Sequence, residues 1–253
     1  MQNINLDQFK GKNISFIIKK ADDLYRTNLE GIINAHKIYN LVLEEIPNLY
    51  DENKFHVLRG DLRQKIWNCE RKLFWNEKFP SQSGQDKIIK NYFFKDKKHG
   101  FFVEIGAFDG IQGSNCYHFE KFLNWGGIAL EPSRIQFEKL KKNRKCKILN
   151  EAVSHEIKEV EFVEVIEGLT QMSGINDNFY QRNMKIITKN ERSKTQSINL
   201  KTITFEQAVP KNTDIDYLSI DIEGGEMDLL NSINFNDNDI KVISLENNIP
   251  AGI

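Results

Sequence analysis

The sequence predicts an α/β fold built on a parallel sheet and preceded by a helical segment, and three short runs carry that prediction. Phe101 to Ile105 is apolar around a single acid and breaks into a glycine-bearing turn. Gly126 to Leu130 is a second such run ending in Glu131, and Tyr217 to Ile220 is a third ending in Asp221. Apolar runs of this length, bounded by glycine or a polar tip, read as strands buried on both faces of a parallel sheet.

The N-terminal part reads as helix. Residues 13–46 place Ile14, Ile17, Ile18, Leu24, Ile32, Ile33, Ile38, Leu41 and Val42 at helical spacing up to Pro47. A second stretch from about Asp61 to Phe79 aligns Leu62, Ile66, Trp67, Leu73 and Phe74, and Pro80 closes it. Helices this short must dock on something. We therefore divide the chain into a helical segment, 1–80, serving as a cap or an oligomerisation element, and a main domain, 81–253.

S-Q-S-G-Q-D at Ser81 to Asp86 opens the main domain. Ser81 and Asp86 can cap a helix, and Gln82 and Gln85 offer uncharged amides. The turn after the first strand carries Glu104 and Asp109 around Gly106 and Gly110, with no G-x-G-x-x-G and no G-K-[ST]. A phosphate loop presents bare N–H groups or a lysine. Carboxylates repel phosphate and suit a cationic ligand with ribose hydroxyls and an amino group, a description that S-adenosylmethionine meets. Glycines there let the backbone pass close to a ligand.

Ser114 to Leu123 follows at helical spacing, with Ser114 or Asn115 able to cap. Glu131 then stands at the tip of the second strand, where nucleoside-binding folds place an acceptor for ribose hydroxyls. Arg134 to Arg144 is a basic helix and Cys146 to Ser154 a strand, completing a βαβαβ unit. Glu159 to Val165 alternates acidic and apolar residues, as a half-exposed strand does. Residues 167–195 are polar and read as a loop or lid, with Met172, Asn176, Tyr180 and Arg182 as substrate-side candidates by position. Gln196 to Ile203 is another strand.

Asp221 ends the strand Tyr217 to Ile220, and Gly224 and Gly225 allow a tight entry into a helix packing Met227, Leu229, Leu230 and Ile233. Lys241 to Leu245 is the next strand, followed by Glu246, Asn247 and Asn248. Neighbouring strands lie about 5 Å apart, so Asp221, Glu246 and Asn247 should converge. Two carboxylates and an amide oxygen suit Mg²⁺ or a similar hard cation. The same groups can instead hydrogen-bond cofactor, substrate or helix N-termini without metal.

Taken in order, V-E-I-G-A-F-D-G, S-N at Ser114 and Asn115, E-K-F-L-N-W-G-G-I-A-L-E-P, N-R at Asn143 and Arg144, and N-E-A-V-S resemble the FkbM-type S-adenosylmethionine-dependent methyltransferases. S-Q-S-G-Q-D, I-D-Y-L-S-I-D-I-E-G-G-E and I-S-L-E-N-N fit the same family, so the resemblance spans roughly residues 80–250. It implies a Rossmann-like class I methyltransferase sheet with helices on both faces. With the residue reading, it assigns the cofactor to Gln82, Gln85, Glu104, Gly106, Ala107, Asp109, Gly110, Ser114, Asn115, Glu131, Pro132, Ala152 and Asp221. Asp221 or Glu223 would act as base, or a metal on Asp221, Glu246 and Asn247 would lower the acceptor's pKa. The layout is similar to that of catechol-type O-methyltransferases, where a metal holds the attacking oxygen. His99 and His118 are the histidines nearest the first motif.

The resemblance implies an oxygen acceptor on a carbohydrate, with a nucleotide-linked sugar or glycan precursor of a bacterial surface polysaccharide (capsule) leading. A polyketide or other small-molecule hydroxyl is the alternative, as is a non-catalytic nucleoside-binding module. A nucleoside-binding oxidoreductase lacks support because the phosphate-binding glycine pattern is absent. Class I sheets add two more strands beyond the fifth, whereas this chain stops at Ile253. The expectation is a sheet short of its last strands, with the fifth strand exposed. A homo-oligomer through that edge or through the N-terminal helices is one way to cover it.

Composition sets outer bounds. A net charge of −1 gives no global field for nucleic acid. No run reaches the length of a membrane span, and the N-terminus lacks a signal pattern. Three scattered cysteines, Cys69, Cys116 and Cys146, form neither a disulfide framework nor a zinc site, which points to the cytoplasm.

Overall fold

The computed structural model describes residues 13–46, 52–177 and 180–246. The chain forms two compact units that divide between Lys78 and Phe79.

The first unit is helical: α1 (Ile14–Tyr25), α2 (Leu29–Glu45) and α3 (Glu52–Lys72). The stretch 13–46 is two helices rather than one, because Asn28 caps α2 by accepting from the Gly31 N–H at 2.9 Å. Ile17, Ala21, Ala35, Ile38, Val42 and Leu62 form its core. The Tyr39 hydroxyl and the Lys65 ammonium both donate to Asp22 at 2.6 Å, tying the three helices together. Phe74 does not lie on the packed face. The helix has ended at Lys72, and Phe74 sits in the left-handed region, 74 % exposed.

The second unit opens with the short helix α4 (Gln85–Ile89), which runs into a π-helical turn, Lys90–Phe94. Then follow β1 (Phe101–Ile105), α5 (Tyr117–Leu123), β2 (Gly126–Leu130), α6 (Arg134–Asn143) and β3 (Lys147–Leu149). Next come β4 (Ala152–Val153), β5 (Glu159–Glu167), β6 (Gly174–Ile175), α7 (Gln181–Lys189) and β7 (Lys194–Ile203). The helix α8 (Phe205–Ala208), β8 (Asp214–Ile220), α9 (Glu226–Ser232) and β9 (Asp239–Leu245) complete it.

The central sheet has the order β3-β2-β1-β8-β9, and every pairing in it is parallel. Alternate residues of its strands face opposite layers. Val103, Ile105, Leu218 and Ile220 pack with Phe205, Leu229 and Ile233 from α8, α9 and the turn after α9. Phe102 and Tyr217 meet Ile89, Phe119 and Leu123 from α4 and α5 on the other face. Full burial of a side chain such as Phe119 stabilises by about 1.5–3 kcal/mol. At the amino edge, Asp216 accepts from Lys97 at 2.6 Å, Lys241 at 3.0 Å and the Phe101 N–H at 3.1 Å, clamping the starts of β1, β8 and β9. Burial pushes the Asp216 carboxyl up, but the two lysines more than offset it and hold the group below its usual value.

A second sheet, ordered β4-β7-β5-β6, is built from residues after β3. It corrects two expectations. Cys146 to Ser154 is not one strand: it breaks at Asn150, whose amide donates to the carbonyls of Glu131 and Pro132, and β4 leaves to pair with β7. The polar stretch 167–195 is not only loop, since it carries a 3₁₀ turn (Thr170–Met172), β6 and α7. Met227 is 48 % exposed rather than packed, because α9 buries Leu229 instead.

Candidate active site

Four backbone hydrogen bonds set out the carboxyl edge of the central sheet. Glu131 N–H donates to Leu149 O, Gly106 N–H to Leu130 O, Asp221 N–H to Ile105 O and Glu246 N–H to Ile220 O. Glu131, Gly106, Asp221 and Glu246 therefore stand in a row, one per strand end, at about 4.8 Å per strand. Open α/β sheets bind ligands along this edge.

The turn after β1 is held from inside the protein. Glu104 is 2 % exposed, and one carboxylate oxygen accepts from the Ser114 hydroxyl (2.7 Å) and from the Asn115 (2.8 Å) and Cys116 (3.2 Å) N–H groups. The other oxygen accepts from Arg144 at 2.8 Å. Arg144 also reaches Glu120 and the Gly110 carbonyl. The Glu104 carboxylate thus organises the loop from behind. Asn115 donates to Ser219 of β8 at 2.9 Å. Asp109 accepts from the Ile111 and Gln112 N–H groups at 2.9 and 2.8 Å, closing the turn on itself.

Gly106 has φ +85°, and a Cβ there would lie 1.7 Å from the Asp221 carbonyl oxygen. The close approach that glycine permits is therefore to β8, not only to a ligand. Gly110, at φ +83°, has Arg144 and Leu140 where a Cβ would go. Ala107 is buried beside Ala129 and Leu140.

The S-Q-S-G-Q-D motif lies beside this turn: Ser81 bridges Gly113, and the Gly113 N–H donates to Pro80 O at 3.0 Å. Ser81 and Asp86 hydrogen-bond each other in a buried pair, and burial pushes the Asp86 carboxyl up to about 7. Gly84, not Ser81, precedes the first turn of α4. Gln85 accepts from the Ser83 N–H at 2.8 Å, and Gln82 is exposed.

Glu131 is 6 % exposed, and its two oxygens accept from the Phe108 and Ser133 N–H groups, each at 2.8 Å. Burial, reinforced by the charges of Glu164 and Asp109, pushes its carboxyl up to about 7 despite those two donors. Pro132 leads to Ser133, which caps α6. Ala152 is buried in β4, paired with Thr202 of β7.

Asp221, Glu223 and Glu246 gather at the ends of β8 and β9, with ligand atoms within 4.8 Å of one another. Burial and then the Glu246 and Glu223 charges push the Asp221 carboxyl well up, and Asp221 and Glu246 share a hydrogen bond. Glu223, held at φ +61°, accepts from the Asn183 amide at 2.7 Å. Burial and Glu246 push its carboxyl up to about 8, the Asn183 bond opposing them. Glu226 accepts from the Gly224 N–H at 2.9 Å and closes the turn. Asn247 and Asn248 lie outside the described residues.

Residues 104–250 match the family model described as the Methyltransferase FkbM domain, more than half of the chain. The chain belongs to the FkbM methyltransferase family. Among curated proteins no match is found. Among solved structures the chain is similar to methyltransferase FkbM from Methylobacillus flagellatus KT, solved at 2.20 Å resolution, with 12 % identity and a TM-score of 0.34. That likeness covers 77 % of this chain and 44 % of the solved one, so the chain spans less than half the length of that relative.

The residues present fit the cofactor that FkbM methyltransferases generally use. Each Glu131 oxygen takes one backbone N–H and keeps a second lone pair for a ribose hydroxyl. The carboxylates of the row suit a sulfonium cation. The cluster also suits a hard divalent cation, since Asp221 and Glu223 are each pushed up by burial and by neighbouring carboxylates, and positive charge would relieve that crowding.

Two site residues escaped the sequence reading. Asn183 comes from α7 inside the polar stretch, and no local pattern marks an amide that reaches Glu223 forty residues on. Glu164 is 2 % exposed although the alternation of β5 put its acids outward; the Val163–Val165 part of the strand is buried on both faces. Of the substrate-side candidates, Tyr180 is fully buried with its hydroxyl on the Met172 carbonyl, and Asn176 donates to Glu161. Arg182 is exposed. His99 precedes β1, at the opposite end of that strand from Gly106, and His118 is buried against Phe79.

Proposed function

We propose that this chain is an S-adenosylmethionine-dependent O-methyltransferase acting on a carbohydrate hydroxyl, with a nucleotide-linked sugar or glycan precursor of a bacterial surface polysaccharide as leading acceptor. The observation that carries the reading is the row of Glu131, Gly106, Asp221 and Glu246 along one sheet edge, with Glu223 beside it.

When bound, the cofactor supplies an electrophilic methyl group and accepts the electron pair of the breaking C–S bond. Glu131 holds its ribose hydroxyls. Asp109, Gly110 and the Ser81–Asp86 segment border the turn beside it. The protein's remaining task is to hold the acceptor oxygen in line and take its proton. Glu223, with a carboxyl near neutrality, is the base, and the Asn183 amide fixes its direction. Asp221 accepts a hydrogen bond from the acceptor hydroxyl. In the alternative arrangement, Mg²⁺ or a similar ion would be held by Asp221, Glu223 and Glu246 in place of a protein base, and there it would favour the deprotonated acceptor. A family role in methyl transfer, several carboxylates for hydroxyl recognition and the absence of a basic field all favour a polyhydroxylated acceptor over nucleic acid. Three free cysteines accord with a reducing cytoplasm, and among the described residues no helix is long and apolar enough to cross a membrane.

Methyl transfer from labelled S-adenosylmethionine to a panel of nucleotide sugars and polyketide alcohols, with and without Mg²⁺, tests this. Transfer to a sugar, lost on Asp221→Asn, is the expected result. Transfer only to polyketide alcohols would overturn the acceptor assignment.

A further inference from the structure

Glu164 has no place in the chemistry above, yet it is one of the most deeply buried acids of the molecule, at 2 % exposure. It projects from β5, in the second sheet, to the residue that follows the Glu131-Pro132 tip of the first. One of its oxygens accepts from the Ser133 hydroxyl and, at 3.4 Å, from the Ile135 N–H; the other accepts from the Gln196 amide of β7. Ser133 in turn points its own N–H at Glu131 at 2.8 Å, while its oxygen caps the Gln136 N–H at 3.2 Å. A chain of hydrogen bonds thus runs Gln196–Glu164–Ser133–Glu131, and it joins the two sheets.

We propose that Glu164 is a positioning residue for the cofactor, orienting Glu131 through Ser133. The inference rests on the reading of Glu131 as the ribose acceptor. A neutral serine cap needs no carboxylate behind it, since an uncharged carbonyl or amide oxygen can accept the hydroxyl proton. A second buried acid so close to Glu131 must instead be felt electrostatically. The charged groups acting on Glu131 are Glu164 from β5 and Asp109 from the turn after β1, and both oppose its ionisation. The two backbone N–H groups favour it. Only the ionised carboxylate is a pure acceptor for two ribose hydroxyls. The charge of Glu164 therefore adds to the larger effect of burial in raising the pH needed for full cofactor affinity, and its hydrogen bond to Ser133 sets where Glu131 points.

Titration calorimetry with S-adenosylhomocysteine between pH 5.5 and 8.5, on the wild type, Glu164→Gln and Glu164→Ala, separates the two effects, with thermal melts to establish folding. For the wild type, affinity should fall below about pH 7, approaching tenfold per pH unit. Glu164→Gln keeps an acceptor for Ser133 and loses the charge. Its affinity at pH 8 should stay near the wild-type value, while the fall begins at least half a pH unit lower. Glu164→Ala should lose at least fivefold in affinity at pH 8. A pH profile in Glu164→Gln that superimposes on the wild type would overturn the proposal, and that comparison decides even if Glu164→Ala does not melt cooperatively. A wild type that binds at no pH would overturn the cofactor reading of Glu131 and this inference with it, whereas unchanged variants beside a binding wild type would overturn this inference alone.

Discussion

Arg144 shows most plainly what a single residue does here. Its side chain is fully buried, and it pairs with Glu104 and Glu120 while donating to the Gly110 carbonyl. Burial alone would lower its pKa, but the two carboxylates more than offset that and keep it charged. Arg144→Met leaves Glu104 charged and buried with no cation, which should destabilise the fold by about 3–5 kcal/mol in urea titrations. The exposed pair Lys141–Glu138, by contrast, should be worth under about 1 kcal/mol. A loss in Arg144→Met no larger than that of the surface pair would refute the clamp.

Glu223 gives a prediction in pH. Its carboxyl is raised from 4.5 to about 8 in the fold, so between those values the folded state keeps a proton that the unfolded chain has released. Its contribution to stability is whole below about pH 4.5 and is lost as the pH rises through about 8. Melting temperatures of Glu223→Gln, relative to wild type in chelator, should therefore rise from pH 5 to pH 8.5. A constant difference would mean that Glu223 titrates normally.

At the scale of elements, the strand ends and the turn after β1, which passes against the end of β8, shape the site. Gly106→Ala adds a Cβ where the Asp221 carbonyl already lies and forces alanine to a positive φ. A loss of at least about 2 kcal/mol in stability is expected, with weakened S-adenosylhomocysteine binding. Helix α7 holds Glu223 through Asn183. Removing the amide leaves a buried carboxyl oxygen without its donor, which costs about 1–3 kcal/mol, so Asn183→Leu should speed amide exchange across residues 181–189 by roughly tenfold. Unchanged exchange there would detach α7 from the site.

The same scale explains what the sequence could disclose. β1, β2, β8 and β9 were legible because each is a short apolar run ending in a turn, and parallel pairing then puts their tips in one row. Glu131, Asp221 and Glu246 followed from that geometry. The second sheet was not legible as a unit: β4 and β6 are two residues each, too short for any periodicity to register. Glu164 and Asn183 were hidden for a different reason. Their partners are brought together by antiparallel pairing of β5 with β7 and by the path of α7, neither of which leaves a local pattern.

Across the whole molecule, the carboxyl edge of the central sheet is the edge proposed for the cofactor; the second sheet reaches it at Glu131 through Glu164 and Ser133, and α7 reaches Glu223 through Asn183. The helical unit has its own core and its own polar tie at Asp22. We propose for it the role of a cap or an oligomer contact, which light scattering of the chain with and without residues 1–78 would decide.

Titration calorimetry with S-adenosylhomocysteine, on the wild type and Glu131→Ala, each with Mg²⁺ and with chelator, tests the central claim most directly. The account predicts binding by the wild type, weakened at least tenfold, about 1.4 kcal/mol, in Glu131→Ala. Wild-type binding that Glu131→Ala leaves unchanged, or no binding in either condition, would contradict it.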